Sequence, residues 1–333
     1  MTDDTATAPQ STLRQNNTTK PKHRGLNRWS GASLALLLAV LGLAAGRLGL
    51  LWPDFDVFTQ LTAQFIMALA AFALALFVPR QKTLTGIVLL ILMAVAYGMW
   101  PHYVSARPEV VAATPPGTRA VKIASFNTWR DNRSLAALEA EINRLDADVL
   151  VLTEFSRHRK DMAERLRARY PYQFNCHSLL ICSLMIVSRT PLADTAISPD
   201  LGGNFYIRAR LGRDMGNVTV FAVHTLRFPH SRMQFVQAAA LRKDVAATAA
   251  PVLVMGDFNA TPFSRLISAF QQETGLARLT SLPSWPAGLG LPQIAIDHIF
   301  ASPSLKPLSA ERIGDNAGSD HYPVSMTLAV PVP

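Results

Sequence analysis

The chain has 333 residues, 49% of them apolar and 17% charged, with 32 Lys plus Arg against 23 Asp plus Glu and a mean hydropathy of +0.18. That length can bury a core and hold one or two domains, and the composition excludes an intrinsically disordered chain. Two cysteines exclude a disulfide framework and a four-cysteine zinc site, while the +9 balance fits either an anionic partner or basic flanks on membrane spans.

Residues 1–30 are polar, rich in Thr, Gln and Asn, and carry the cluster Lys20, Lys22, Arg24 and Arg28, the composition of a disordered basic cytoplasmic tail. Three apolar stretches fill 31–100, at about 31–52, 57–79 and 83–100, each near the ~20 residues a helix needs to cross the hydrocarbon. Three transmembrane helices are therefore predicted. Arg47 interrupts the first close to Trp52, near enough to the expected interface to snorkel. A signal peptide is the competing reading of that stretch, but its length and the two runs after it count against this. The basic tail, the Arg80 and Lys82 connection and the acidic connection with Asp54 and Asp56 orient the spans. Three crossings then place everything after Trp100 in the periplasm or outside the cell, giving a multi-pass cell (inner) membrane protein. Four prolines, at 101, 108, 115 and 116, make 101–118 a stiff linker.

From 119 to 333 short β-rich runs alternate with helical patterns, the signature of an α/β or α+β domain. Strands are predicted at 121–126, 148–152, 184–187, 218–223, 252–255, 294–300 and 323–328, and helices at 135–145, 162–170 and 232–249. The domain holds 23 basic and 18 acidic residues, a balance of +5 with no polybasic block.

Asn127, Glu154, His224, Asp257 with Asn259, and Asp297 fall at or near the C-terminal ends of predicted strands, where a rigid sheet can hold side chains toward a common cleft. In Gly256-Asp257-Phe258-Asn259 the carboxylate and amide lie two apart, on one side of an extended chain, suited to a nucleophilic water and an anionic oxygen. A strand-ending Asx turn is the alternative there. Asp320-His321 joins a carboxylate to an imidazole, and Asp297 supplies the second carboxylate that an acid/base imidazole needs to fix its tautomer. Glu154 is a hard oxygen ligand of the kind Mg²⁺ prefers, or else a solvated strand end. His298 alternates to the opposite face from Asp297 and is read as structural. Arg208, Arg210 and Arg227 are either contacts for an anionic substrate or solvated surface.

In order, Ser125-Phe126-Asn127, Leu152-Thr153-Glu154, Val223-His224, Gly256-Asp257-Phe258-Asn259, Ile296-Asp297-His298-Ile299 and Ser319-Asp320-His321 resemble the motifs of the endonuclease/exonuclease/phosphatase superfamily. The resemblance covers essentially all of 119–333, and the apolar stretches resemble the three-span anchor of a bacterial membrane-bound branch. It implies a four-layer α/β sandwich with two central, mostly antiparallel sheets, and attack of water on phosphorus dependent on Mg²⁺ or Mn²⁺. Carried onto this chain, it implies that Glu154, Asp320 and Asn127 hold the metal, with Asn127, Asn259 and His224 against the substrate. It further implies that Asp257 and Asn259 orient water and phosphate, and that His321 with Asp297 is the essential imidazole. Two positions depart from the usual pattern: Thr153 stands where the family has Gln, and Val223 rather than Asn precedes His224.

The expected function is thus a membrane-anchored, extracytoplasmic, metal-dependent phosphoesterase. A nuclease acting outside the cytoplasm is the alternative, and a membrane-anchored binding module without chemistry is the alternative of another class. A lipid head group, a lipid-linked phosphate or nucleic acid fits as the substrate, the bilayer is a partner through three helices, and no protein partner follows. Cys176 and Cys182 can bridge only if the chain turns back between 172–175 and 183–187; two buried free thiols are the other possibility.

Overall fold

The computed structural model describes residues 28–49, 51–77, 90, 93, 109–179, 182–289 and 294–332. Two sheets stand face to face from Thr118 onward. The first takes strands β1 (Thr118–Asn127), β2 (Val149–Thr153), β3 (Tyr172–Asn175) and β4 (Met185–Ser188), completed by the C-terminal β11 (Lys306–Pro307), β12 (Arg312–Ile313) and β13 (Val324–Pro331). The second takes β5 (Leu192–Ile197), β6 (Tyr206–Leu211), β7 (Thr219–His224), β8 (Val252–Asp257), β9 (Ala277–Arg278) and β10 (Asp297–Ala301), in the order β5-β6-β7-β8-β10-β9.

Each sheet has one parallel pair, β1 with β2 and β7 with β8, and antiparallel neighbours otherwise. A helix makes each parallel crossover, Leu135–Leu145 in the first sheet and Ser231–Ala246 in the second. With Lys160–Leu166 and Arg265–Thr274, these helices cover the outer faces.

The strands read as unbroken apolar runs because both of their faces are buried. Along β2, Val149 and Val151 enter the core between the sheets, while Leu150 and Leu152 enter the core under the helices. Along β8, Leu253 and Met255 face the inner core and Val252 and Val254 the other. The four-layer α/β sandwich is therefore as expected, and so are the seven predicted strands. Strands β5 and β6 and the helix Arg265–Thr274 were not foreseen. In β6, Arg208 and Arg210 alternate with the inward Ile207, Ala209 and Leu211, so charged residues mask a strand. Arg210 pairs with Asp194 at 2.6 Å and Arg208 reaches Thr248 Oγ1 at 3.5 Å, so both lie away from the functional cleft.

The membrane reading needs correction. Among the described residues no helix is long and apolar enough to cross a membrane. The first stretch is helical over Arg28–Leu48 (α1), with Arg47 in its last turn. The second is broken at Leu61, leaving Val57–Gln60 (α2) and the 16-residue Thr62–Phe77 (α3). The third stretch lies outside the described residues apart from Leu90 and Met93, as do residues 1–27 of the tail and 101–108 of the linker. The three transmembrane helices, the bilayer as partner and the multi-pass membrane location with an outside domain are not carried forward.

Cys176 and Cys182 are joined by a disulfide, Cα atoms 5.5 Å apart, which sets aside the free-thiol alternative. Strands β3 and β4 pair antiparallel on either side of it, and Leu179 N–H donates to Cys176 O to turn the chain back.

Candidate functional site

The two parallel pairs end at the same edge of the sandwich. From the first sheet they bring Asn127 and Glu154; from the second, His224 and Asp257, which are register partners. Two antiparallel strands arrive from the opposite direction. Asp297 opens β10 opposite Asp257, and Asp320 and His321 precede β13 beside β1. Topology thus converges these seven side chains from distant parts of the sequence. Asp297 sits at the beginning of its strand rather than at its end.

The backbone is shaped for this convergence. Glu154 and Asn259 hold φ of 54° and 47°, a region where non-glycine residues are uncommon and which clusters at functional sites. Gly256 has φ of 145°, and a Cβ there would lie 1.9 Å from Val223 O, so only glycine lets β8 lie this close to β7.

Asp257 is buried. Its Oδ1 accepts from Asn259 N–H at 2.8 Å and its Oδ2 from the Asn127 side-chain amide at 3.0 Å. Burial pushes its pKa up to about 6, against the opposing pull of the nearby His321. His321 is also buried, and its Nδ1–H donates to Asp297 Oδ2 at 2.7 Å. Burial alone would lower the imidazole pKa, but Asp297, by charge and hydrogen bond, with Asp257 and Asp320, carries it up to about 9. Burial likewise raises Asp297, yet His321 and the Ser284 hydroxyl hold it below the usual carboxylate range. His321 Nε2 faces the cleft, 3.8 Å from Asp257 Oδ2 and 4.0 Å from Asp320 Oδ1.

Glu154 accepts from Arg130 N–H at 2.9 Å and from the Asn127 amide at 3.3 Å. Burial opposes ionisation, but the His224 charge and these two donors outweigh it and keep the carboxyl below its ordinary value. His224 Nε2 stands 3.8 Å from both Glu154 Oε1 and Asp257 Oδ2. Asn259 is oriented by its own amide donating to Thr225 O at 2.9 Å. Asp320 accepts from Trp285 Nε1–H at 3.3 Å, and its Oδ1 is buried without a hydrogen-bond partner. Burial raises its pKa, and the Glu154 charge adds to the effect.

Glu154, His224, Asp257, Asn259, Asp320 and His321 therefore line one cleft of about 600 Å³ together with Arg227, and Asn127 and Asp297 stand behind them, hydrogen-bonded to Asp257 and His321. His298 does not join them: its Nε2–H donates to Ala260 O at 2.8 Å, and burial with the Arg278 charge pushes its pKa down to about 3. Trp285 and Arg159 were missed. Trp285 lies in a loop without periodicity. Arg159 is buried and donates to Thr128 Oγ1 and Trp129 O, both at 2.6 Å, propping the loop that presents Arg130 N–H to Glu154. No pattern in the sequence marks a buried arginine of this kind.

For a divalent cation two donor sets compete. Asp257, Asp297 and His321 place ligand atoms within 4.8 Å of one another. His321 uses Nδ1 on Asp297, however, and a metal takes a neutral imidazole, which the raised pKa disfavours. Glu154 and Asp320 fit a hard cation better: two carboxylates on one cleft, one raising the other's pKa, with an oxygen of Asp320 unsatisfied. Asn127 donates to Glu154 and accepts from Trp129 N–H, so its amide would have to turn for its oxygen to join them.

A comparison with curated proteins finds no match. Among solved structures, a humanized D. rerio TDP2 with 14 mutations is similar over 63% of this chain and 98% of its own, at 15% identity and a TM-score of 0.52. A 3'-5' exonuclease from Neisseria meningitidis matches 64% of this chain and 100% of its own, at 19% identity and a TM-score of 0.49. An endonuclease/exonuclease/phosphatase from Beutenbergia cavernae matches 64% of this chain and 72% of its own, at 19% identity and a TM-score of 0.48. At these identities the TDP2 likeness speaks to the fold alone. The model of the endonuclease/exonuclease/phosphatase family, whose members hydrolyse phosphate esters, matches residues 124–321, from β1 to His321, and the chain belongs to that family.

Proposed function

We propose that the chain is a divalent-cation-dependent phosphoesterase, with Asp257 as the base for an attacking water and His321 as the cation facing the phosphoryl oxygens. The observation that carries this reading is the juxtaposition, 3.8 Å apart at the cleft, of a carboxylate and an imidazole that their surroundings leave on either side of neutrality: Asp257 is raised to about 6 and His321 to about 9. Near neutral pH one is an ionised base and the other an imidazolium, a division of labour set by environment. The water gives its proton to Asp257 as its oxygen bonds to phosphorus and the ester P–O bond breaks. Asp297 keeps the imidazole charged and aimed, and Asn259 and His224 hold the water and a phosphoryl oxygen.

Glu154 and Asp320, with Asn127 after its amide turns, would hold Mg²⁺ or Mn²⁺. When bound, the cation neutralises phosphoryl oxygens and supports the departing one. The cleft volume of about 600 Å³ suits a ligand of head-group or nucleotide size. The test is turnover of bis-p-nitrophenyl phosphate by the purified full chain in Mg²⁺. The expected result is hydrolysis that EDTA abolishes and that a folded Asp257→Ala protein lacks. Equal turnover by wild type and Asp257→Ala would overturn the reading.

A further inference from the structure

The acidic connection between the first two apolar stretches does not hang free. Asp56 lies in the turn Pro53–Asp56 that precedes α2 and is 3% exposed. A buried carboxylate requires partners, and all of them come from the domain 200 residues later. Asp56 Oδ1 pairs with Arg265 Nη2 at 2.8 Å and accepts from Arg265 N–H at 3.4 Å, while Oδ2 accepts from the Ser264 hydroxyl. Ser264 caps the helix Arg265–Thr274, so Asp56 sits against the positive end of that helix. Arg265 also donates to Gly46 O at 3.3 Å, near the last carbonyls of α1. A Cβ on Gly49 would fall 1.9 Å from that guanidinium, which would then have to shift. One turn further on, Gln60 Oε1 accepts from Thr261 N–H, two residues after Asn259. Asp56, Val57 and Gln60 then line the same cleft as Asp257, His224 and His321.

We infer that the 53–60 turn is a built-in wall of the substrate cleft, latched by Asp56 on Arg265 and Ser264, and that Val57 and Gln60 select the ester's non-reacting group. The inference rests on the phosphoesterase reading of this cleft. Val57 and Gln60 belong to the wall, not to the reacting groups, so they act on which ester fits. The wall also holds the segment 261–265 that follows Asn259, tying cleft shape to the N-terminal segment.

The test has two arms on the full chain. The first is hydrogen exchange of the Thr261 and Arg265 amides. Protection is expected in wild type and a fall of about tenfold or more in Asp56→Ala, because those donors lose their acceptors or the turn that presents them. Unprotected amides in wild type, or equal protection in Asp56→Ala, overturn the wall whatever the activity. The second arm is the ratio of kcat/KM for bis-p-nitrophenyl phosphate to that for methyl p-nitrophenyl phosphate in Mg²⁺, which differ only in the group that stays on phosphorus. Val57→Trp narrows the cleft and is expected to lower this ratio about tenfold or more, chiefly through KM, and Gln60→Ala to raise it. A purely structural role would slow both esters alike, and an unchanged ratio in both variants overturns the selection. Protection of both amides in wild type that is lost in Asp56→Ala, with neither ester hydrolysed, refutes the phosphoesterase reading, and the selection with it, while leaving the wall itself confirmed.

Discussion

Asn127 and Asp257 stand in different sheets, yet the Asn127 amide donates to the Asp257 carboxylate across 3.0 Å, and the same nitrogen lies 3.3 Å from Glu154. One side chain thus spaces the proposed base from the proposed cation ligand and couples the edges of two sheets. Both partners are charge-bearing oxygens with little access to water, so a lost donor is not replaced cheaply. Asn127→Ala is expected to lower kcat by about 10²- to 10³-fold with the circular dichroism spectrum retained. Turnover within a few-fold of wild type would show that the amide has no part in the chemistry.

The pH dependence follows from the two displaced groups. Asp257 must be ionised to take a proton, so kcat/KM should rise with pH through about 6. His321 must be protonated to face the phosphate, so the rate should fall through about 9. In Asp297→Asn the imidazole loses the carboxylate that raises it, and the falling limb should move to lower pH. The stability carried by the pair has the matching sign: a His pKa raised in the folded state stabilises fully below about 6.5, and this is lost as pH rises through about 9. A falling limb that stays in place in Asp297→Asn would separate it from His321.

Much of this site could be read in the sequence for one reason: its residues terminate or open strands, and strands buried on both faces announce themselves as apolar runs. The run Val149 to Leu152 points straight at Glu154, and Val252 to Met255 at Asp257. What could not be read depends on contacts between remote segments. Asp56 looks like a loop charge until Arg265 is set beside it, and Arg159 looks like a surface cation until the 128–130 carbonyls close around it. The membrane spans failed for a related reason. Hydropathy measures composition along the chain, whereas the break at Leu61 and the docking of the turn before it are tertiary events. Charged Arg208 and Arg210 hid β6 because one face of that strand carries ion pairs and hydrogen bonds instead of core.

The cation-binding assignment has a readout independent of turnover. Glu154 and Asp320 line one cleft and disfavour each other's charge, and a bound divalent cation relieves this. Mg²⁺ added to EDTA-treated protein should raise the unfolding midpoint, by the equivalent of about 2.7 kcal/mol at a hundredfold excess over Kd. Glu154→Gln keeps the shape of the side chain and removes its charge, and should abolish most of that shift. An equal shift in both proteins would move the cation elsewhere.

Gly256 joins the stability of the fold to the geometry of the site. At φ of 145°, a Cβ would stand 1.9 Å from Val223 O and 2.8 Å from Val223 N, and these backbone atoms belong to the ladder that pairs β7 with β8. No rotamer change can relieve such a clash, so Gly256→Ala must push the two strands apart. The displaced residues would include His224 and Asp257, which follow Val223 and Gly256 directly. Gly275 supplies the control. It ends the helix Arg265–Thr274 at φ of 69° with nothing within 4 Å of the added Cβ, so Gly275→Ala meets only the left-handed backbone penalty of ~1–2 kcal/mol. Urea unfolding should therefore show Gly256→Ala losing more than about 3 kcal/mol, well beyond Gly275→Ala. Under conditions where both variants are folded, kcat should fall only for Gly256→Ala. Equal losses at the two glycines would mean that β8 can move away from β7 without strain, and that the close approach is not what sets the positions of His224 and Asp257.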